Sequence, residues 1–367
     1  MGEFKMNIDA RPSTDLEQYK ATTGHRRPAR ILYSFSMTED LTRRVTEHIG
    51  TKDYQRHYGL MNRVNVWLRR PDHLPPLDFS SYWKDQQLPP GTTINDSGVA
   101  MVPSGFYHFW GYISPLRKAK SLAEIEKYPL EDLSRWDGSE LATSVNQAHA
   151  EGKIAIGVVG HMYETAWQIR GYEEFLMDMM SQPAWAECLL ERIARQNMIK
   201  ATTAARAGVD EMLCGDDVAH QQAMMFSPDI WRTMMLSRWG AIWAEIKRIN
   251  PEIRIWYHSD GNIMPIIEDL VQAGLDILNP VQPECMDVDT LHRKYGQRLT
   301  FHGLMGTQST MPFGTPQSVR ARVKEIIEKY GRDGGLIIAP THVLEPEVPI
   351  ANIDAFCDAC REFGKLD

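Results

Sequence analysis

Five polar side chains stand directly after short apolar runs, and their types suggest metal, acid–base or substrate-binding chemistry. His258 and Asp260 follow the run 253–257 and lie two residues apart, so on an extended chain they project to the same side. An imidazole and a carboxylate placed this way converge on one metal ion or one substrate oxygen. Two ligands fall short of a catalytic zinc site, which uses three protein ligands and leaves a fourth position open. The alternative is a helix-capping Asp260 beside a satisfied strand-end histidine. Asp216 and Asp217 follow the run 211–214; adjacent carboxyls that share a site split their pKa values, which suits general acid/base work or cation binding. Otherwise they form a solvated loop with Asp217 as a cap. His342 comes just past the run 336–339 and is the expected third ligand, or else a general acid. His302 and Gln282 occupy similar places and are expected to hold substrate.

These positions acquire meaning from the elements that carry them. From about residue 150 onward, short β-rich runs alternate with longer helical patterns, the rhythm of a parallel sheet. Strands are expected at 154–159, 211–214, 253–257, 277–279, 299–302 and 336–339. Helices are expected at 172–180, 183–207, 228–249, 264–272, 288–295, 316–330 and 350–363. Gly208, Gly274 and Gly331 follow three of them, where a left-handed cap favours glycine. In a parallel barrel the reacting groups sit at the carboxyl ends of the strands, where all these polar residues fall. The first 150 residues are less regular: a strand is expected at 30–35 and a helix at 38–49, capped by Thr38. The stretch 71–91 is rich in proline and aromatics and reads as an ordered insertion. The larger insertion 71–112, with Tyr107, His108, Phe109 and Trp110, either lines an aromatic pocket at the barrel mouth or packs beneath a lid.

The 367-residue chain is 43% hydrophobic and 24% charged, a composition that supports a full core. Its net charge of −8, with no basic run, speaks against a nucleic-acid partner. No stretch approaches the ~18 consecutive apolar residues of a membrane span, and the first thirty residues lack a signal-type apolar region. No membrane association is expected, and the location is expected to be cytoplasmic. The five scattered cysteines agree with a reducing compartment. Cys357 and Cys360 fall within a helical pattern and read as two helix-face thiols, the methionines as gap-filling core. Residues before Met6 are set aside from fold reasoning. No dinucleotide or P-loop motif is present.

Several motifs together resemble the uroporphyrinogen decarboxylase superfamily, in the branch near the corrinoid-dependent methyltransferases. They are Gly160-His-Met-Tyr-Glu164 with Arg170-Gly171, Asp216-Asp217 with Gln221 and Ser227-Pro228, and His258-Ser-Asp260-Gly261. To these are added Asp276-Ile-Leu-Asn-Pro-Val-Gln282, Phe313-Gly-Thr-Pro316, and Gly334-Gly335 through His342 to Val348-Pro349 and Asn352. The resemblance implies an α/β fold, a (β/α)8 TIM barrel formed by one domain over 25–367. An N-terminal extension at 1–24 precedes it, and the long insertion lies near the mouth. It also implies a homodimer.

True decarboxylases of that superfamily carry an Arg-Gln-Ala-Gly-Arg element, and this chain has His25-Arg-Arg-Pro-Ala-Arg30 instead. The methyltransferases bind zinc through His-x-Cys and a later cysteine, and the matching positions here are His258, Asp260 and His342. A His/Asp/His set is harder than a thiolate set and better matched to oxygen. The resemblance therefore implies a zinc-dependent demethylation of a small O-methyl or similar substrate, with the methyl group passed to a corrinoid on a separate partner protein. Asp216 or Asp217 serves as acid or cation partner, and Glu164, Gln221 and Gln282 orient the substrate. Gly306 stands where relatives commonly have an aspartate, which puts in doubt any step that needs a carboxylate there. Two rival readings stand beside this one. The first is a metal-independent decarboxylase or lyase, with Asp217 and His342 handling protons and Arg170 anchoring a carboxylate. The second is a non-catalytic binding protein on the same barrel.

Overall fold

The computed structural model describes residues 13–105 and 109–366; the expectations for the residues before Met6 and for Tyr107 and His108 fall outside them. Among the described residues eleven strands form two sheets. Numbered in chain order they are β1 (Leu32–Tyr33), β2 (Arg63–Val66), β3 (Thr93–Ile94), β4 (Ala100–Pro103), β5 (Trp110–Ile113), β6 (Ile154–His161), β7 (Glu211–Gly215), β8 (Arg254–His258), β9 (Ile277–Val281), β10 (Thr300–Met305) and β11 (Leu336–Pro340). Eight of them run parallel in the order β1-β11-β10-β9-β8-β7-β6-β2. The seam between the outermost strands is spanned where the Met61 N–H donates to the Tyr33 carbonyl at 2.9 Å. With helices packed around these strands the fold is a (β/α)8 barrel, as expected.

Side-chain alternation divides each strand between two cores. Leu32, Ile154, Ile156, Trp256, Ile277 and Ile337 point into the barrel and form one buried cluster. The opposite faces join the surrounding helices in the main core. Every residue of β9, β10 and β11 is buried, which explains their nearly unbroken apolar sequences. The helix Asp15–Thr23, started by a Thr14/Glu17 capping box, places Tyr19 in the interior cluster. The Tyr19 hydroxyl donates to Glu211 Oε2 at 2.7 Å. This part of the N-terminal extension therefore plugs the amino-terminal floor of the barrel and leaves the opposite face for chemistry.

The six expected strands in the second part of the chain are present, and each extends one to three residues further toward its carboxyl end. The early strand at 30–35 shrinks to Leu32–Tyr33. β2 has no counterpart among the expectations, because Arg-Val-Asn-Val is short and largely exposed. Gly208 and Gly274 end their helices with φ of 86° and 111°, whereas Gly331 has φ −106°. Its left-handed cap is thus corrected: Gly331 is small because a Cβ there would crowd Leu336 and Ile31. Thr38 sits at the N-cap of Glu39–Ile49 without a side-chain capping bond. The insertion is ordered through its aromatics. Phe79, Trp83 and Tyr128 are buried, the Trp83 indole N–H donates to the Gly98 carbonyl, and β3, β4 and β5 form an antiparallel sheet. Among the described residues no helix is long and apolar enough to cross a membrane.

Candidate active site

The carboxyl ends of β6, β7 and β8 deliver a compact group of acids and histidines. β6 ends in His161 after a register shift between Val158 and Gly160, with Gly160 at φ +99°. The helix Tyr163–Arg170 follows at once and carries Glu164. β7 runs into Asp216 and Asp217, and β8 into Ser259 and Asp260. Gly215 allows the last two strands to meet, since a Cβ there would lie 2.3 Å from the His258 carbonyl oxygen.

Asp216 and Asp217 play different parts. The Asp216 side chain is fully buried. Its Oδ1 accepts from the Met162 and Glu164 backbone N–H groups at 2.7 and 3.2 Å, and its Oδ2 accepts from the Trp239 indole at 3.0 Å. Burial, reinforced by Glu164, pushes its pKa up to about 7, while His161 and the backbone donors pull against the rise. With both oxygens taken up, Asp216 holds the β6 helix start to β7 and has little left for a ligand. Asp217 faces the open side. Its Oδ1 accepts from the Asp260 N–H at 2.8 Å and lies 3.6 Å from His258 Nε2, and its N–H donates to Glu164 Oε2 at 3.2 Å.

Asp217, His258 and Asp260 offer donor atoms that lie within 4.8 Å of one another, as do His161, Glu164 and Asp216. His258 is oriented from behind. Its Nδ1 lies 2.7 Å from Asn279 Oδ1, and its ring stacks on Trp256 at 5.7 Å and 11°. A proton on Nδ1, donated to Asn279, leaves the Nε2 lone pair facing Asp217, the arrangement usual for a metal-ligating histidine. Oδ1 of Asp260 is buried without a hydrogen-bond partner among the described residues. Burial raises the pKa of this carboxyl, with Asp217 pushing in the same direction and His258 and His342 pulling it down. A buried carboxylate oxygen with no donor is costly unless something cationic completes it. Oxygen and imidazole donors at this spacing, with an orphaned oxygen among them, fit a zinc-sized divalent cation.

His342 Nε2 lies 3.9 Å from Asp260 Oδ2, beside the cluster, and the three side chains whose donor atoms converge are Asp217, His258 and Asp260. Glu164, expected to orient the substrate, lies 2.5 Å from His161, which was not singled out from the sequence. Burial disfavours the charged imidazole, but Glu164 outweighs it, and the His161 pKa rises to about 9. Gln282 is buried, and its Oε1 accepts from the Gly261 N–H at 2.6 Å, so it holds the turn after Asp260. Gln221 and Gln308 are hydrogen-bonded to each other at 2.9 Å. Both line a cavity of about 340 Å3 with Asp260, Gln282, Thr307 and His342.

Two expected contacts are not brought to this group. Arg170 is buried, with Nε 2.6 Å from Asp178 Oδ2 and Nη1 donating to the Leu116 carbonyl, which occupies the guanidinium elsewhere. His302 lies below the mouth inside the barrel, between the Trp256 indole at 2.9 Å and Ser34 at 3.3 Å. Burial lowers its pKa to about 3, so it is a neutral packing histidine. The missing acid at 306 has a neighbour in its place: a side chain at Gly306 would run into the Glu284 carboxylate, which accepts from Ser309 at 3.0 Å.

Comparison with known proteins agrees with this architecture. Residues 113–363 match the family model for uroporphyrinogen decarboxylase (URO-D). Uroporphyrinogen decarboxylase from Pseudomonas fluorescens is 28% identical over 82% of each chain. The enzyme of that name from Methylococcus capsulatus is 23% identical over 51% of each, so the chain spans about half the length of that curated relative. Among solved structures, a methyltransferase from Methanosarcina mazei superposes with a TM-score of 0.65 at 17% identity, over 96% of this chain and 99% of the other. That likeness is one of fold. With the family model covering most of its length, the chain belongs to the uroporphyrinogen decarboxylase (URO-D) family.

Proposed function

We propose that this protein is a metal-dependent methyltransferase that demethylates a small O-methyl or similar donor and passes the methyl group to a corrinoid protein. The observation that carries the reading is the donor set at the ends of β7 and β8. His258 is turned by Asn279 so that its free nitrogen faces Asp217, and Asp260 keeps a buried oxygen without a partner. Asp217, His258 and Asp260 would hold the ion. Zinc held by these residues would supply Lewis-acid polarisation of an oxygen-bearing donor. The methyltransferase name of the Methanosarcina mazei neighbour points the same way.

The chain's own residues supply positioning and a proton. Glu164 keeps His161 charged at neutral pH, and this pair stands beside Asp217 through the Asp217 N–H. His161 is therefore placed to give a proton to the departing oxygen, and Glu164 to hold the imidazole in line. Gln282 fixes Gly261 and with it Asp260. Gln221 and Gln308 present amide groups to the cavity. The rival decarboxylase reading used Arg170 as its carboxylate anchor, and Asp178 already occupies that guanidinium.

The reading is tested with zinc-supplied protein, a panel of small methoxylated compounds and chemically reduced cobalamin, followed by the absorbance change on methylation of cobalt(I). Methylcobalamin is expected with at least one donor, at a rate that falls a hundredfold or more in His258→Ala. Cobalt(I) unchanged across the panel, in protein that holds its metal, would sink the proposal.

A further inference from the structure

A second cavity, of about 440 Å3, shares no residue with the one at the mouth. It lies at the seam of the sheet, where β1 and β2 end the strand order and the Met61–Tyr33 main-chain bond spans the gap. Four parts of the chain line it: the first residue of the N-terminal helix, the approach to β1, the segment 55–62 and the end of the last helix. Ile31, Tyr33, Leu60 and Cys360 make a buried apolar wall on the outer face of the barrel. The Tyr33 hydroxyl donates to the Tyr58 carbonyl at 2.5 Å, so this ring offers the cavity its hydrocarbon rather than a free donor.

The polar part of the lining is cationic. Arg30, Arg56, Arg361 and Lys365 stand there with a single acid, Asp15. Asp15 is already satisfied, since Oδ1 pairs with Arg30 and Oδ2 accepts from the Asn62 backbone and side-chain N–H groups at 2.8 and 2.6 Å. Arg361 is divided between Asp358 at 2.5 Å and the Tyr58 carbonyl at 3.2 Å. No ion pair engages Arg56 or Lys365 among the described residues. An antiparallel bridge sets Arg30 opposite Lys365, which brings their side chains to one side of the pair. With Arg30 answered by Asp15 and Arg361 by Asp358, two positive charges are left beside an apolar wall. Composition does not explain this, because the chain's formal charge is −8 and the mouth cavity is lined without lysine or arginine.

Small-molecule sites occupy cavities of about 300–1,000 Å3 and combine a mostly apolar lining with a few polar groups that fix one end of the ligand. Neighbouring cations repel one another until an anion joins them, and carboxylate and phosphate oxygens make charge-assisted hydrogen bonds to both arginine and lysine. A hydrocarbon body removes the apolar wall from water in the same event. We propose that this cavity binds an amphipathic anion, a short apolar body with one oxyanion head. Arg56 and Lys365 hold the head, and Ile31, Tyr33, Leu60 and Cys360 cover the body. An occupant ties the start of the floor-plugging helix to the last helix across the seam, and so stabilises the closed barrel. The site does not depend on the methyl-transfer reading.

The test is calorimetry on the full chain with octanoate and octyl phosphate, below their micellar concentrations, against 1-octanol and acetate. At least one amphiphile is expected to bind, one per chain, tenfold or more tightly than either control, and the tighter of the two identifies the head as carboxylate or phosphate. Arg56→Glu and Lys365→Glu are each expected to weaken it about tenfold with far-UV circular dichroism unchanged, since both side chains are exposed and form no ion pair among the described residues. Arg135→Glu makes the same charge change at an exposed residue outside the lining and is expected to alter affinity less than twofold. No binding of either amphiphile, octanol or acetate binding as tightly, affinity untouched by both cavity variants, or an equal loss in Arg135→Glu would overturn the site.

Discussion

Asp216 and Asp217 are neighbours in sequence with opposite tasks, and their separation is the clearest result at the scale of single residues. Asp216 satisfies three buried N–H donors, each of which costs about 1–3 kcal/mol if left unpaired. Asp216→Ala is accordingly expected to lower stability by about 3 kcal/mol or more, read from urea unfolding; a loss below about 0.5 kcal/mol would mean that these bonds are not formed. The sequence made His258, Asp260, Asp216, Asp217 and His342 legible because each follows an apolar run. It could not rank them, since ranking depends on which donors surround each carboxyl. His161 was passed over because its strand was expected to stop at residue 159, and the shift at Gly160 carries the strand two residues further. Asn279, which orients His258, lies inside β9 and reads in sequence as one more strand residue. Arg170 looked free because its partner Asp178 lies on the next helix, beyond the break at Gly171.

At the scale of elements, the site depends on how closely β7 and β8 approach. A Cβ on Gly215 would sit 2.3 Å from the His258 carbonyl oxygen and 2.7 Å from its nitrogen, and both are backbone atoms that cannot step aside. Gly215→Ala is expected to cost about 1–3 kcal/mol through forced backbone shifts and to lower metal affinity, because the strand pushed away is the one that carries His258. Thermal unfolding and zinc titration check the two effects; an unchanged melting temperature would show that the strands have slack. Most barrel strands were legible because burial on both faces demands nearly continuous apolar runs. β1 and β2 were blurred for the opposite reason. They are short, and among the described residues β2 pairs only with β6 along its length, so its alternating Arg63-Val-Asn-Val66 carries little apolar signal.

Taken as a whole, the molecule is a barrel closed at one end by its own N-terminal helix and open at the other to the acid cluster. The floor stores a pH dependence. Glu211 is buried, one oxygen has no hydrogen-bond partner among the described residues, and burial raises its pKa from 4.5 to about 7 against the pull of Tyr19. The folded state therefore holds this proton more tightly than the unfolded chain. The stability it contributes is full below pH 4.5 and is lost as pH rises through about 7. Glu211→Gln keeps the acceptor for Tyr19 and removes the charge. It is expected to raise stability at pH 8 by up to roughly 3 kcal/mol, with little effect at pH 4.5; equal effects at both values would contradict the assignment. A metal at the open end of the barrel is checked by elemental analysis of protein purified without chelator. About one zinc per chain is expected in the wild type, retained in Asp216→Asn and lost in Asp217→Ala, His258→Ala and Asp260→Ala. A wild type without metal, or zinc retained in all three of the latter variants, would contradict it.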